Sequence, residues 1–499
     1  MKYFSIYTLG CKANQYESQQ IRELLENFGL KKAESSEKTD LVVINTCCVT
    51  HTASAKSRQQ IRKFQKHHPD AAIVICGCLP VIENSTIQPD TAPSDQKPAQ
   101  QAENTLFVTN RDELAAILTD LVSKACNLNR DKTECSYTPD SNLQPINMIK
   151  TEFDAKIKLK KGFSENTELP LLTSFKDQTR AFLKVQDGCD GYCAYCIIPK
   201  TRPEVRSKPV NEAINEAKSL VLAGHKEIVI TGICVGAYGR DSARRRDISS
   251  DNTDHLANLV EKIAQIPNLK RIRLSSIEPS DITDQLLDTF SKYENIMPHI
   301  HLSLQSGSDA VLKKMCRRYK SDDVRKKVDQ IKNILDTPAI TTDIIVGFPG
   351  ETDEDFEQTV KLSKEIGFSK IHVFKFSARE GTAAARMKDF VDSKIINERS
   401  KILLDLEKQL GFNFRNQFID KNETVLIENI KPIESHSSSH KNTSHESQVT
   451  SHVYSGRSER YFIVNINQSK DIKLQKNDVV KVLLQKNTKD DMTAKPISK

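Results

Sequence analysis

The 499-residue chain lacks any apolar run approaching the roughly 20 residues that a membrane-spanning helix needs. Its first residues, 1–7, also lack the long apolar core and cleavage pattern of a secretory leader. Tryptophan is absent, which excludes no class of protein. From these absences we expect a cytoplasmic protein with no membrane partner.

The composition predicts a soluble protein of two or three domains, because 37% of the residues are hydrophobic and 28% are charged. A formal net charge of +7 is compatible with a polyanionic partner such as RNA. Twelve cysteines in a reducing compartment indicate metal or redox chemistry rather than disulfide bonds.

Three of these cysteines, Cys189, Cys193 and Cys196, have the spacing C-x3-C-x2-C directly after the apolar run Ala181–Val185. Thiolates are the usual ligands of iron-sulfur clusters, and three of them leave one iron of a four-iron cluster open for another ligand. A structural zinc site needs four ligands, and no fourth Cys or His lies near enough in sequence. The spacing therefore favours a working cluster over a structural metal site.

A second set of cysteines follows short apolar strands in the first 120 or so residues. Because the carboxyl ends of parallel strands meet at one edge of an open sheet, these cysteines predict a second three-ligand cluster site. Geometry favours Cys11, Cys47 and Cys78, because adjacent residues of an extended chain point in opposite directions and Cys76 lies inside an apolar run. Cys48 and Cys76 remain alternatives.

The pattern of helices and strands predicts an α/β fold with three parts. Residues 1–123 form an open parallel βαβ sheet with a disordered insert at about 84–102, and residues 124–174 form a linker. Residues 175–410 contain six βα units and predict a partial (β/α)6 barrel. Residues 411–499 predict a small β-barrel, interrupted by a low-complexity insert at 435–452. The barrel strands are expected at Thr424–Glu428, Tyr461–Asn465 and Asp478–Leu484.

In this context the cysteine loop resembles the radical S-adenosylmethionine (SAM) superfamily. The segments Thr8–Ser18, Asn45–Thr50 and Gly77–Cys78 resemble the amino-terminal cluster motifs of the methylthiotransferases, and the carboxy-terminal part resembles their RNA-binding TRAM domain. The resemblance implies two [4Fe–4S] clusters, SAM as methyl donor and radical source, and an electron donor such as flavodoxin or ferredoxin. It also implies a transferase of sulfur-containing groups that acts on tRNA, and we expect a monomer.

The resemblance further implies which residues hold SAM. Each of these positions follows a predicted strand, where a polar or glycine residue can reach a ligand, although a turn or a helix cap explains such a residue equally well. The implied SAM-binding residues are Gly232, Glu278, Gln305, Gly347 and Gly350.

Within the family, the segments Arg180–Cys189, Thr50–Ala53 and Ile371–Phe374 most resemble the bacterial branch that acts on threonylcarbamoyladenosine. The implied reaction is methylthiolation of carbon 2 of N6-threonylcarbamoyladenosine at position 37 of tRNA. Isopentenyladenosine in tRNA, or an aspartate of a ribosomal protein, is the alternative substrate, and a structural iron-sulfur RNA-binding protein is the non-enzymatic alternative. The threonyl carboxylate favours a guanidinium partner, for which Arg457, Arg317 and Arg318 are candidates.

Overall fold

The computed structural model describes residues 1–34, 38–83, 104–127, 168–240, 254–432, 452–467 and 473–498. The chain divides into two compact units, Met1–Leu172 and Thr173–Lys499. Within the described ranges, no helix is both long and apolar enough to cross a membrane.

The amino-terminal unit is an open sheet of five parallel strands in the order β2-β1-β3-β4-β5. Its central strand β3 is buried along its whole length, as expected for an apolar strand covered on both faces. This sheet confirms the predicted parallel architecture. The strands are β1 Tyr3–Thr8, β2 Lys31–Lys32, β3 Leu41–Thr46, β4 Ala72–Gly77 and β5 Thr105–Phe107; the helices are α1 Lys12–Asn27, α2 His51–His67, α3 Leu79–Glu83 and α4 Leu114–Asn127.

The carboxy-terminal unit begins with a β/α region. Its strands are β6 Ala181–Asp187, β7 Arg206–Ser207, β8 Glu227–Gly232, β9 Arg271–Leu274, β10 His299–Gln305, β11 Ala339–Val346 and β12 Lys370–Lys375. Its helices are α5 Ile198–Thr201, α6 Val210–Leu222, α7 His255–Ala264, α8 Asp284–Lys292, α9 Asp309–Lys314, α10 Ser321–Ile334, α11 Asp353–Ile366 and α12 Ser393–Asn416.

Six of these strands are parallel and form the predicted partial barrel. β6, β8 and β9 form one ladder, with the short β7 added antiparallel to β6, and β10, β11 and β12 form a second ladder. The isolated bridges Ile272–Ile296 and Ile277–Leu302 connect the two ladders. The carboxyl ends of the six strands therefore lie along one rim, where the active residues of such barrels are found.

A closed five-stranded barrel ends the chain, in the order β13-β14-β15-β17-β16. It confirms the predicted small β-barrel, but the sequence pattern did not reveal β14 and β17. Helix α12 continues past residue 411, where we expected the barrel segment to begin. The strands are β13 Asn422–Pro432, β14 His452–Ser458, β15 Ile463–Asn467, β16 Val479–Asn487 and β17 Met492–Ser498.

Buried arginines join this barrel to the β/α region. Arg273 donates hydrogen bonds to the backbone oxygens of Ser458 and Glu459, at 2.7 and 2.8 Å, and Arg271 donates to that of Arg457 at 2.9 Å. The ring of Tyr461 stacks on His299, with the ring centroids 4.6 Å apart. The turn between β14 and β15 is thus held by charged groups of the β/α region.

Three expectations fall wholly or largely on residues outside the described ranges. These are the disordered insert at 84–102, most of the linker at 124–174, and the low-complexity insert at 435–452. Of the linker, residues 128–167 lie outside the described ranges; of the low-complexity insert, only His452 lies within them.

Candidate functional site

The three favoured cysteines of the amino-terminal unit follow neighbouring strands. Strands β1, β3 and β4 lie side by side, and Cys11, Cys47 and Cys78 come after their carboxyl ends. The backbone nitrogen of Cys78 donates to the oxygen of Thr46 at 3.1 Å, so it lies beside Cys47. A side chain on Gly10 would come within 3.2 Å of the Cys47 sulfur, which brings Cys11 to the same edge. The topology therefore gathers the three residues, as the sequence predicted.

Asn14 and Thr46 hold this edge together. Nδ2 of Asn14 donates to the backbone oxygens of Leu9 and Thr46, at 2.9 Å in both bonds, and ties the end of β1 to the end of β3. Oγ1 of Thr46 donates to the oxygen of Cys76 at 2.6 Å and accepts a bond from the nitrogen of Leu79, which fixes β4. Both residues lie within the segments Thr8–Ser18 and Asn45–Thr50, but the sequence indicated no such role for either of them.

The two alternative cysteines are part of the protein interior. Cys76 is 1% exposed and belongs to the apolar core with Phe4, Leu41 and Val43, which confirms its interpretation as a small hydrophobic residue. Cys48 is completely buried. Cys47 and Cys78 are also buried, at 8% and 3% exposure, so it is the place of Cys76 in the apolar core that separates it from Cys78, and burial does not decide between Cys47 and Cys48.

A cation lies against this set of cysteines. Nη2 of Arg111 donates to the sulfur of Cys78 at 3.2 Å. A guanidinium beside a thiol favours its thiolate form, which is the form that binds metal. Arg111 is 33 residues from Cys78 in sequence, and no local pattern identified it.

In the carboxy-terminal unit, Cys189, Cys193 and Cys196 lie in the loop after β6. The nitrogen of Cys196 donates to the oxygen of Cys193 at 3.0 Å, which curls the loop. The backbone nitrogen of Ala194 donates to the oxygen of Met315, and the oxygen of Ala194 accepts a bond from the nitrogen of Ala384. Contacts from distant parts of the barrel therefore fix the middle of this loop.

Gly188 is required where the loop leaves the strand. Its φ is +73°, and a Cβ atom there would lie 1.7 Å from the backbone oxygen of Glu204. Asp187 anchors the same turn by accepting bonds from the nitrogen of Gly188 at 2.8 Å and from Arg202 at 2.6 Å. Only glycine allows the two backbone segments to approach this closely.

Arg317 is the cation of the second cysteine set. Its Nη1 donates to the sulfur of Cys193 at 3.1 Å and lies 3.5 Å from the carboxylate of Glu278, while its Nη2 donates to the oxygen of Ser303 at 3.0 Å. The Arg317 side chain is 4% exposed. Arg317 is therefore held at the cysteines, and the structure argues against it as the carboxylate-binding residue that the sequence suggested.

The two tyrosines of the loop differ in environment. Tyr192 is 64% exposed, whereas Tyr195 packs against the apolar cluster of Ala194, Met315 and Phe348. Burial raises the pKa of Tyr195 well above its ordinary value. Burial likewise raises the pKa of the Cys196 thiol to about 12, so a metal must displace a proton to bind there.

The residues expected to bind SAM lie at the ends of the strands. Gly232 ends β8 against the side chain of Gln186, whose Oε1 accepts from the nitrogen of Cys234 at 2.7 Å. Gln305 ends β10 with a φ of +72°, a backbone strain that is commonest at functional positions. Glu278 follows β9 and contacts Arg317. These three residues are thus on the rim that carries the cysteine loop.

Gly347 and Gly350 form the turn after β11. The nitrogen of Gly347 donates to Glu351 at 2.8 Å, and Arg399 of α12 pairs with the same carboxylate at 2.7 Å. Nζ of Lys314 donates to the oxygen of Gly350 at 2.7 Å. The turn is therefore locked from α9 and α12.

The guanidinium of Arg457 is already engaged within the protein, which argues against it as the partner of the threonyl carboxylate. Nε of Arg457 lies 3.4 Å from Glu428, and its guanidinium lies 4.4 Å from the Tyr461 ring centroid. The guanidinium groups of Arg180 and Arg273 also lie over the Tyr461 ring, at 5.4 and 5.0 Å from its centroid. These groups join the barrel to the β/α region, because their charges and ring faces are already engaged there.

The donor chemistry of both sets fits an iron-sulfur cluster. Each set presents three cysteine thiols and one guanidinium, and thiolates are the ligands of such clusters. In the described ranges, one group of three His, Cys, Asp or Glu residues has its ligand atoms within 4.8 Å of one another, and that group contains no cysteine. Neither set of cysteines therefore has the tight spacing of a single-ion zinc site.

A three-cysteine loop at the rim of a partial β/α barrel defines a radical SAM enzyme, and residues 183–363 match the Radical SAM superfamily. Residues 3–95 match the Uncharacterized protein family UPF0004. The chain is 36% identical over 424 residues to "Threonylcarbamoyladenosine tRNA methylthiotransferase MtaB" of Bacillus subtilis, covering 85% of this chain and 84% of that protein.

The protein of the same name from Thermotoga maritima is 35% identical over 86% of this chain and 87% of its own length. The "tRNA-2-methylthio-N(6)-dimethylallyladenosine synthase" of Zymomonas mobilis is 33% identical over 86% of each chain. The chain belongs to the radical SAM methylthiotransferase family, and is an enzyme that uses SAM and a [4Fe–4S] cluster.

Proposed function

We propose that this enzyme transfers a methylthio group to carbon 2 of N6-threonylcarbamoyladenosine at position 37 of tRNA. The observation that carries the proposal is the similarity to relatives named for this substrate, at 34–36% identity. Relatives named for dimethylallyladenosine are 30–33% identical. Dimethylallyladenosine, the isopentenyl nucleoside, is therefore the second candidate substrate.

In this proposal Cys189, Cys193 and Cys196 hold the SAM-binding cluster. When bound, the cluster and SAM supply a 5′-deoxyadenosyl radical, which opens a C–H bond that acid-base side chains cannot open. The three thiolates leave one coordination position for SAM. Arg317 donates to the Cys193 sulfur and balances the negative charge of the thiolates.

SAM is held by Gly232, Glu278, Gln305, Gly347 and Gly350. Their positions at the ends of β8, β9, β10 and β11 support this assignment, because all of them border the rim that carries the cysteine loop. Glu278 is a carboxylate for the cationic part of SAM, and the turn at Gly347 offers backbone groups for close contact.

Cys11, Cys47 and Cys78 hold a second [4Fe–4S] cluster, which takes part in supplying the transferred sulfur. Arg111 donates to the sulfur of Cys78, as Arg317 does to that of Cys193, and each guanidinium would offset negative charge at its cluster. The assignment is supported by the convergence of three strand ends and by the place of the competing Cys76 in the apolar core.

We assign a separate role in the reaction to each of three segments of the chain. Residues 1–123 carry the second cluster, 175–410 the radical chemistry, and 411–499 tRNA contacts to phosphates and bases. Arg318, which is exposed, is the proposed guanidinium for the threonyl carboxylate. We further propose that the chain works as a monomer and receives electrons from a flavodoxin or ferredoxin.

The test combines SAM cleavage with nucleoside mass spectrometry of tRNA. Cys193→Ala should abolish formation of 5′-deoxyadenosine, because the cluster that binds SAM loses a ligand. Cys47→Ala should retain SAM cleavage and lose methylthiolation. Cys48→Ala is the matched control, since it removes the adjacent thiol, which is not assigned to the cluster, and it should keep both activities.

The substrate is tested in tRNA from a deletion strain and from strains complemented with each variant. We expect the methylthio group to disappear from threonylcarbamoyladenosine and to return with the wild-type gene. Loss from dimethylallyladenosine instead would assign the enzyme to the second substrate. SAM cleavage that persists in Cys193→Ala would contradict the assignment of the radical site.

A further inference from the structure

Three side chains from neighbouring strands of the β/α region form a compact set that the proposed reaction does not use. His301 lies on β10, Asp343 on β11 and His372 on β12, and their ligand atoms all lie within 4.8 Å of one another. Asp343 and His372 are directly paired in the ladder. Two imidazoles and one carboxylate are donors that divalent transition metals take from proteins.

These residues share the more open face of the sheet. Their chain neighbours Leu302, Ile344 and Ile371 are at most 1% exposed, and successive residues of a strand point to opposite faces. The trio therefore points away from the apolar side. A metal on this face could be reached by solvent or by a ligand.

His301 is oriented toward the centre of the trio. Its Nδ1 lies 2.8 Å from Oγ1 of Thr341, and its Nε2 lies 3.1 Å from Oδ2 of Asp343. Nε2 is buried, and the described residues give it no hydrogen bond of good geometry, although the carboxylate is near. An imidazole held through one nitrogen and aimed with the other is the usual arrangement of a metal-binding histidine.

The Thr341 hydroxyl contacts two histidines, and the direction of its hydrogen bond decides which ring nitrogen of His301 carries the proton. The hydroxyl also lies 3.3 Å from Nε2 of His299, and its single proton can serve only one of the two histidines. If Thr341 donates to His299, then Nδ1–H of His301 donates to Thr341 and the Nε2 lone pair faces Asp343. A metal cation bound by both Nε2 and the carboxylate would satisfy that arrangement. If Thr341 donates to His301, a proton on Nε2 fills the same gap.

His372 completes the set from β12 and is the most exposed of the three residues. The ring centroids of His301 and His372 lie 5.6 Å apart.

We propose that His301, Asp343 and His372 bind one divalent transition-metal ion of the zinc class, separate from the iron-sulfur sites. Three protein ligands leave at least one coordination position open for water or for an oxygen ligand. Thr341 is the outer partner that fixes the tautomer of His301.

The test uses the full-length protein with its iron-sulfur sites reconstituted, so that the cysteines do not compete. Co²⁺ is added as a spectroscopic probe, and Zn²⁺ binding is measured by calorimetry and elemental analysis. We expect one added ion per chain, with visible Co²⁺ bands of nitrogen and oxygen ligands and without sulfur charge-transfer bands. His372→Ala and Asp343→Asn should lower affinity by more than the roughly tenfold that loss of an outer partner costs.

Two further variants separate binding from folding. Thr341→Val should lower affinity by about tenfold with the stoichiometry unchanged, because the tautomer is no longer fixed. His67→Ala, at the exposed end of α2, should bind as the wild type does. Absence of a stoichiometric added ion in the wild type, or equal affinity in a correctly folded His372→Ala protein, would overturn the proposal.

Discussion

The interface between the β/α region and the barrel, called the joint below, depends on the negative charge of Glu227. Its side chain is completely buried at the start of β8, and its carboxylate lies 3.0 Å from Arg273, 3.5 Å from Arg271 and 3.9 Å from Arg180. Burial raises the pKa of Glu227, but the three guanidinium groups outweigh it and bring the pKa below its ordinary value. The carboxylate is therefore ionised at neutral pH.

Glu227→Gln would leave Arg271 and Arg273 buried without their counter-ion, whereas Arg180 keeps its pair with Glu428 at 2.7 Å. Burial lowers the pKa of Arg273 to about 10, so this arginine stays charged at pH 7. Removing one partner of a buried ion pair costs about 3–5 kcal/mol. We expect the lower end, about 3 kcal/mol, because Arg273 keeps its bonds to the Ser458 and Glu459 oxygens and Arg271 keeps its bond to Arg457.

Urea unfolding, followed by a probe in the carboxy-terminal unit, measures this loss. Glu365→Gln is the matched control, because Glu365 pairs with Arg325 at 2.9 Å with both side chains more than a third exposed. An exposed pair contributes less than about 1 kcal/mol. Equal loss in the two variants would refute the argument that the buried carboxylate stabilises the joint.

Two other predictions follow from single contacts. Arg111→Gln should reduce the iron retained by the amino-terminal unit and leave SAM cleavage intact, because the Cys78 sulfur loses its neighbouring cation. Arg22→Gln, on α1, is the control, and an unchanged iron content in Arg111→Gln would contradict the prediction. Burial raises the pKa of Glu423 to about 7, from an ordinary value of 4.5, so the folded state binds the extra proton between these values. The free energy of unfolding should therefore fall as pH rises from about 4.5 to about 7, by at most about 3 kcal/mol. Glu423→Gln should remove this slope and Glu398→Gln should keep it; a slope that survives Glu423→Gln would assign it to another group.

The sequence was sufficient for features that are local or periodic. Apolar runs predicted the parallel strands of both α/β regions, and a cysteine after a strand predicted an edge where side chains meet. The choice of Cys78 over Cys76 followed from the position of each residue in one run, and burial confirms that Cys76 is a core residue. Such features are encoded within about ten residues.

The contacts that were missed join residues far apart in the chain. Arg317 is 124 residues from Cys193, and Arg273 is 185 residues from Ser458. Strand β14 is rich in polar residues, and β17 contains Pro496, which weakens a strand signal. The trio at His301 becomes visible only when the register of three strands is known. No sequence period carries this information.

The two cysteine sets depend on the fold in different ways. Cys189, Cys193 and Cys196 share one loop, so their spacing is set by the sequence and their shape by contacts with Met315 and Ala384. In the other set, the pairing of β4 with β3 brings Cys78 beside Cys47, with Gly77 opposite Thr46. A slip of one residue would turn the side chains of β4 to the opposite face of the sheet and take Cys76 out of the core cluster that it now joins. The amino-terminal set is therefore the one whose geometry reports directly on the register of the sheet.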